Sequence, residues 1–147
     1  MDCPKPILDL KLNLENRNRA IKDFGYGAPN PLLENTEFWQ KKANLWGVSI
    51  DEAKTMRCGN CAAFDVRKKI KDCISKGFDD GYETIEAGEL GYCRALKFKC
   101  ASKRTCDIWI VGGAITDKKI NWFIYGSILI ITLIILFFII KKFFVKK

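Results

Sequence analysis

The chain has no histidine. That one absence excludes His-ligated zinc, Ser-His-Asp and Cys-His catalysis, and haem held by an axial imidazole. No Lys-Ser/Thr follows Gly25-Tyr26-Gly27, so this glycine pair is not a phosphate-binding loop. Internal repeats and low-complexity tracts are missing too. So is the charged, then apolar, then small-residue order of an export leader: the first residues read Met-Asp-Cys-Pro-Lys-Pro-Ile. A last absence is local, for residues 122–140 carry no charge at all.

What is there begins with that block. At ~1.5 Å per residue it makes about 28 Å of helix, enough to cross a bilayer. Trp122, Phe123 and Tyr125 stand at one end and Phe143 and Phe144 at the other, with Lys118, Lys119, Lys141, Lys142, Lys146 and Lys147 outside them. Aromatic and lysine flanks of this kind mark headgroup layers. Four of the 25 Lys and Arg residues fall in the last seven positions, so half of the +8 net charge is a membrane flank. The lysines balance across the span and leave sidedness open. The missing leader suggests a tail-anchored, single-pass protein with its N-terminal domain in the cytoplasm.

Of the 147 residues, those before about 118 remain for a folded domain. We expect an α+β fold: a small irregular domain with short helices and an antiparallel hairpin, plus one C-terminal transmembrane helix. The regions expected are 1–47 (strand, loop and helix), 48–113 (cysteine-rich, cluster-binding), 114–121 (juxtamembrane linker), 122–140 (span) and 141–147 (basic tail). Leu8, Leu10, Leu12 and Leu14 alternate with polar residues and predict a strand, with helical turns over 17–24. Asn35 or Thr36 caps a helix bearing Trp39, Ala43 and Trp46, stopped by Gly47. Ser49 and Glu52 have capping-box spacing before a short helix. Ala63, Val66, Ile70, Cys73 and Ile74 form an apolar stripe opposite Arg67, Lys68 and Lys71, ended by Gly77. The basic run 67–71 reads as that helix's solvated face and not as a nucleic-acid site. The acidic stretch within 77–91 reads as a surface excursion. Leu96, Phe98 and Cys100 would pair with Cys106, Ile108 and Ile110 as a hairpin.

Seven cysteines (3, 58, 61, 73, 93, 100, 106) are too many for a reducing compartment unless some bind metal, and an odd number fits a pure disulfide framework poorly. Cys58-Gly-Asn-Cys61 lets two sulfurs face one centre, a spacing shared by zinc sites, iron-sulfur clusters and redox dithiols. Cys73 and Cys100 share stripes with apolar residues and read as small core hydrophobes. Cys93 and Cys106 lie beside turn-prone residues, where the chain can bend to present sulfur. The metal and cofactor ligands expected are therefore Cys58, Cys61, Cys93 and Cys106, with Phe64, Tyr92, Phe98 and Trp109 nearby to shield them. Zinc would make a tetrahedral, closed site, usually from two close cysteine pairs.

Cys58-Gly-Asn-Cys61-Ala-Ala-Phe64, together with Cys93 and the later Cys106-Asp-Ile-Trp109, resembles the high-potential iron-sulfur proteins over roughly residues 43–111. The resemblance implies a one-electron carrier, not an enzyme, that holds a [4Fe-4S] cluster on four cysteines. The partners expected are membrane lipid and a membrane-bound redox protein, with no nucleic acid and no small-molecule substrate. The alternative is a membrane-anchored structural or interaction protein, of a viral envelope for example, whose thiols bind zinc or pair as disulfides.

Overall fold

Asp9 accepts a hydrogen bond from the Leu12 amide at 3.0 Å and thereby starts a helix where the leucine alternation suggested a strand. The computed structural model, which describes residues 2–28, 30–77 and 87–117, has α1 at Lys5–Leu8 and α2 at Leu10–Phe24. The segment from Leu8 to Arg19 has no β-branched residue and is rich in Leu, Lys, Glu and Arg, so helix propensity outweighs the period-2 pattern. The expected strand is corrected accordingly: Leu8, Leu10 and Leu14 lie exposed, while Ile7, Asn13 and Ala20 point inward. Gly25 ends α2 in the left-handed conformation.

Helix α3, Thr36–Trp46, ends at left-handed Gly47 as expected. Ser49 caps α4, Ile50–Thr55, by accepting from the Glu52 amide at 3.2 Å. Trp39 and Ala43 of α3 pack on Ala53 of α4, with Phe38, Trp46, Val48 and Ile50 around them. A 3-10 turn follows at Cys58–Asn60, then β1 at Phe64–Asp65 and α5 at Lys68–Lys76. The stripe expected from Ala63 to Ile74 is therefore split, strand first and helix after.

Strands β2, Leu90–Cys93, and β3, Phe98–Ala101, complete a three-stranded antiparallel sheet in the order β1-β2-β3. Cys93 faces Phe64 on one side and Phe98 on the other, and Gly91 faces Cys100. The hairpin thus uses 90–93 with 98–101 and not 96–100 with 106–110. The second of those expected strands is a turn, in which the Trp109 amide donates to the Cys106 carbonyl at 3.1 Å.

Because side chains alternate across a strand, Phe98 and Cys100 turn to a core that also holds Ala20, Tyr26, Cys58, Cys61, Phe64, Cys93, Leu96 and Cys106. Tyr92 turns the other way, onto Ile7, Ile70 and Cys73. There Cys73 is bonded to Cys3, so the expectation that Cys73 is only a small core hydrophobe is corrected: it packs as one and is also half of a disulfide. Residues 2–117 fold as one unit, and the expected span 122–140 lies outside the described residues. Among the described residues no helix is long and apolar enough to cross a membrane.

Candidate metal centre

The Cys58–Asn60 turn is laced to the chain beyond β3, with the Cys58 amide donating to the Arg104 carbonyl at 2.6 Å and the Gly59 amide to the Ser102 carbonyl at 2.9 Å. Asn60 fixes the turn from below. Its Oδ1 accepts from the Arg57 amide at 3.0 Å and from the Trp109 indole Nε1 at 2.9 Å, and its Nδ2 donates to the Thr55 carbonyl at 2.8 Å. The side chain thus ties the Cys58/Cys61 turn to the Cys106/Trp109 turn. Cys93 closes β2 and so lies against β1 and β3. Cys106 is held by its neighbours: Thr105 and Gly27 exchange backbone hydrogen bonds, and the Asp107 amide donates to the Phe24 carbonyl at 2.9 Å. Asp107 itself is gripped by the buried ammonium of Lys42, which also donates to the Gly25 carbonyl at 2.9 Å. A Cβ on Gly25 would sit 2.7 Å from that ammonium, so the glycine leaves room for it.

These elements bring Cys58, Cys61, Cys93 and Cys106 to one small cavity of about 10 Å³, completed by Ala63, Phe64, Ala95, Ile108 and a fifth cysteine, Cys100. Its wall is apolar apart from sulfur. All five thiols are unpaired and buried, Cys100 most deeply at 1% exposure. The reading of Cys100 as only a small core hydrophobe is therefore incomplete: its thiol hydrogen-bonds with both Cys58 and Cys93.

Backbone amides aim at three of the sulfurs. Cys61 Sγ accepts from Ala63 at 3.5 Å and Ile110 at 3.4 Å, Cys93 Sγ from Leu96 at 3.4 Å, and Cys106 from Ile108. Hydrogen bonds of this kind favour thiolate over thiol. Around Cys93 the Cys100 thiol contributes most; against the opposing effect of burial, it and the Leu96 and Ala95 amides hold Cys93 down to about 7. Burial first, and the neighbouring Cys58 next, push Cys106 up to about 12. Burial likewise raises Cys100 well above the usual thiol range. Cys93, Cys100 and Cys106 therefore differ widely in how readily they ionise.

A single zinc draws four sulfurs to ~2.3 Å, so they crowd to roughly 4 Å from one another. Among the described residues no group of three or more Cys, Asp or Glu side chains is disposed to hold a metal ion. The thiols and the amides behind them suit thiolate ligands, but a cavity of about 10 Å³ has room for no more than one water-sized body, so any larger centre would have to spread the sulfurs apart.

Of the expected shielding aromatics, Phe64 lines the cavity and Phe98 and Trp109 pack in the same core. Tyr92 does not shield the cavity, because strand alternation turns it away to the Ile7 and Cys73 cluster. Its place is taken by Tyr26, which the sequence reading passed over. The Tyr26 ring stands edge-on to Phe98 with centroids 4.9 Å apart, and its hydroxyl accepts from the Ala101 amide at 3.0 Å. Asn60 and the Lys42–Asp107 pair were missed as well. Only Asn60 had a signal, its place inside the C-x-x-C spacing. No protein-family model matches the chain, and no curated protein or solved structure matches it.

Proposed function

We propose that this protein is a one-electron carrier that holds a [4Fe-4S] cluster on Cys58, Cys61, Cys93 and Cys106 and is anchored to a membrane by residues 122–140. One observation carries the proposal: five buried, unpaired thiols surround one apolar cavity, and peptide amides point at three of them. The resemblance of residues 43–111 to the high-potential iron-sulfur proteins points the same way, on the same four cysteines. Such a cluster supplies reversible uptake of one electron.

The protein's own residues would bind it and set its surroundings. Four thiolates hold the iron. The amides of Ala63, Leu96, Ile108 and Ile110 disperse negative charge on sulfur, while Tyr26, Phe64 and Phe98 keep water out. No catalytic residue is required. The anchor would raise the effective concentration of a membrane-bound redox partner. The Cys3–Cys73 disulfide favours an oxidising side of that membrane over the cytoplasmic side expected above.

Purified without oxygen, the full chain should be brown and carry about four iron and four acid-labile sulfide. Cys→Ser at 58, 61, 93 or 106 should abolish loading, whereas Cys73→Ala and Cys100→Ala should retain it. A colourless protein with one zinc, or equal loss at all six positions, overturns the assignment.

A further inference from the structure

We propose that the Cys3–Cys73 disulfide is a thiol-exchange site for a small anionic thiol, a role separate from the five-thiol cavity. The disulfide forms part of the wall of a second cavity, of about 220 Å³, lined also by Asp2, Pro4, Lys69, Ile70 and Arg94. This volume holds a molecule of tripeptide-fragment size, against the single-water scale of the thiol cavity. Cys73 is buried at 7% exposure, whereas Cys3 is half-buried, so the sulfur within reach of an incoming thiolate is that of Cys3.

The charges around the opening favour an anion. Asp2 contributes one negative charge and Lys69 one positive charge. Arg94 adds a second positive charge to the lining, partly offset by the carboxylate of Asp65, which it shares with Arg67, while Asp117 also faces Arg67. Lys69 has a second use. It lies four residues before Cys73 on α5, and residues at that spacing are neighbours on one helix face. Both residues line the cavity, so a cation shares it with the sulfur that leaves, and stabilising a leaving thiolate speeds exchange.

The step balances without an outside oxidant. The thiolate of the entering molecule attacks Cys3 Sγ and a new S–S bond forms there. The Cys3–Cys73 bond breaks, and its electron pair goes to Cys73 Sγ, which leaves as thiolate and takes a proton from water. The entering thiol is oxidised and Cys73 is reduced. A second anionic thiol can then free Cys3, carrying the first away as a low-mass disulfide, so that residues 2–4 are no longer tied to α5.

The test uses the full chain in detergent and follows exchange with glutathione and with uncharged 2-mercaptoethanol, each rate normalised to that thiol's rate on hydroxyethyl disulfide. Glutathione should be favoured by about threefold or more at low salt, with the excess shrinking as ionic strength rises. Acid quenching and peptide mapping should locate the glutathionyl group on Cys3. Lys69→Glu should remove the preference, and Lys41→Gln on the exposed face of α3 should keep it. In Cys73→Ser, where Cys3 has lost its partner, glutathione disulfide should add one glutathionyl group at Cys3. Equal normalised rates for the two thiols, a Lys69→Glu variant that retains the preference, or adducts on Cys58, Cys61, Cys93, Cys100 or Cys106 in place of Cys3 would overturn the proposal. Iron content, measured on the same samples, reports separately on the cluster.

Discussion

Asp65 is fully buried and would be costly if its charge stood alone. It does not stand alone: Arg67 Nη2 lies 2.7 Å and Arg94 Nη2 2.5 Å from its Oδ2, with further bonds from both Nε atoms. Burial pushes the carboxyl up, but the Arg67 and Arg94 hydrogen bonds outweigh it and bring it down to about 2. The sign follows. A carboxyl that ionises more readily folded than unfolded stabilises the fold once pH exceeds the unfolded value near 4, and that contribution disappears as pH falls toward 2. Denaturant titrations between pH 5 and 2 should lose about 2 kcal/mol from this group, and Asp65→Asn should flatten that part of the curve. An unchanged slope in Asp65→Asn would show that other carboxyls govern acid unfolding. Asp65 thus fixes β1, and through it the register that sets Phe64 against Cys93. A polar residue far from the sulfurs in chemistry is close to them in architecture.

At the scale of elements, the sheet has little tolerance around the thiols. A Cβ on Gly91 would lie 2.4 Å from the Phe64 ring, so β1 and β2 approach this closely only because β2 carries glycine opposite Cys100. Gly91→Ala should cost about 1–3 kcal/mol by overpacking and weaken metal loading, read from the denaturation midpoint and the iron content. The arm formed by α1 depends on a different tie. Cys73→Ser opens a disulfide between residues 70 apart in sequence and should cost about 4 kcal/mol, a loss that the parent protein reproduces when its disulfide is reduced. Helices α3 and α4 were legible in the sequence because their signals are local: Gly47 stops one and Ser49 caps the other within a single turn. The first strand and the hairpin partner were misread where local pattern met distant packing. Leucine alternation over 8–14 says strand, yet the Asp9 cap and the lack of β-branching say helix, and most of those leucines stay outside the core. Likewise Cys106 to Ile110 alternates as a strand would, but Lys42 and the Trp46 indole, 3.2 Å from the Asp107 carbonyl, hold that segment in a turn. The four thiols expected from spacing and turn chemistry line one cavity, with Cys100 beside them. Cys100 and Tyr26 become visible only once β2, β3 and the Cys58–Asn60 turn are brought together.

For the molecule as a whole, the residues that gather the sulfurs and the residues expected to meet lipid belong to separate stretches of the chain. Residues 2–117 contain every cysteine, all three packed clusters and the sheet. The apolar block 122–140 contains none of the proposed ligands. Binding and anchoring should therefore be separable properties. A chain ending after Asp117 should stay in the aqueous phase on detergent phase separation, and the full chain should enter the detergent phase, as burying about 28 Å of apolar helix demands. If the thiols alone hold the cluster, the shortened chain should bind as much iron per molecule as the full one and show the same visible spectrum. The difference should emerge in transfer: tethered to the same bilayer as its redox partner, the full chain should reduce or oxidise that partner at a rate independent of bulk dilution, whereas the shortened chain's rate should fall in proportion to its concentration. Equal dependence on dilution for both chains would mean that the anchor confers no proximity. Loss of iron from the shortened chain alone would mean that residues beyond Asp117 help to hold the metal, and the separation of the two roles along the sequence would have to be abandoned.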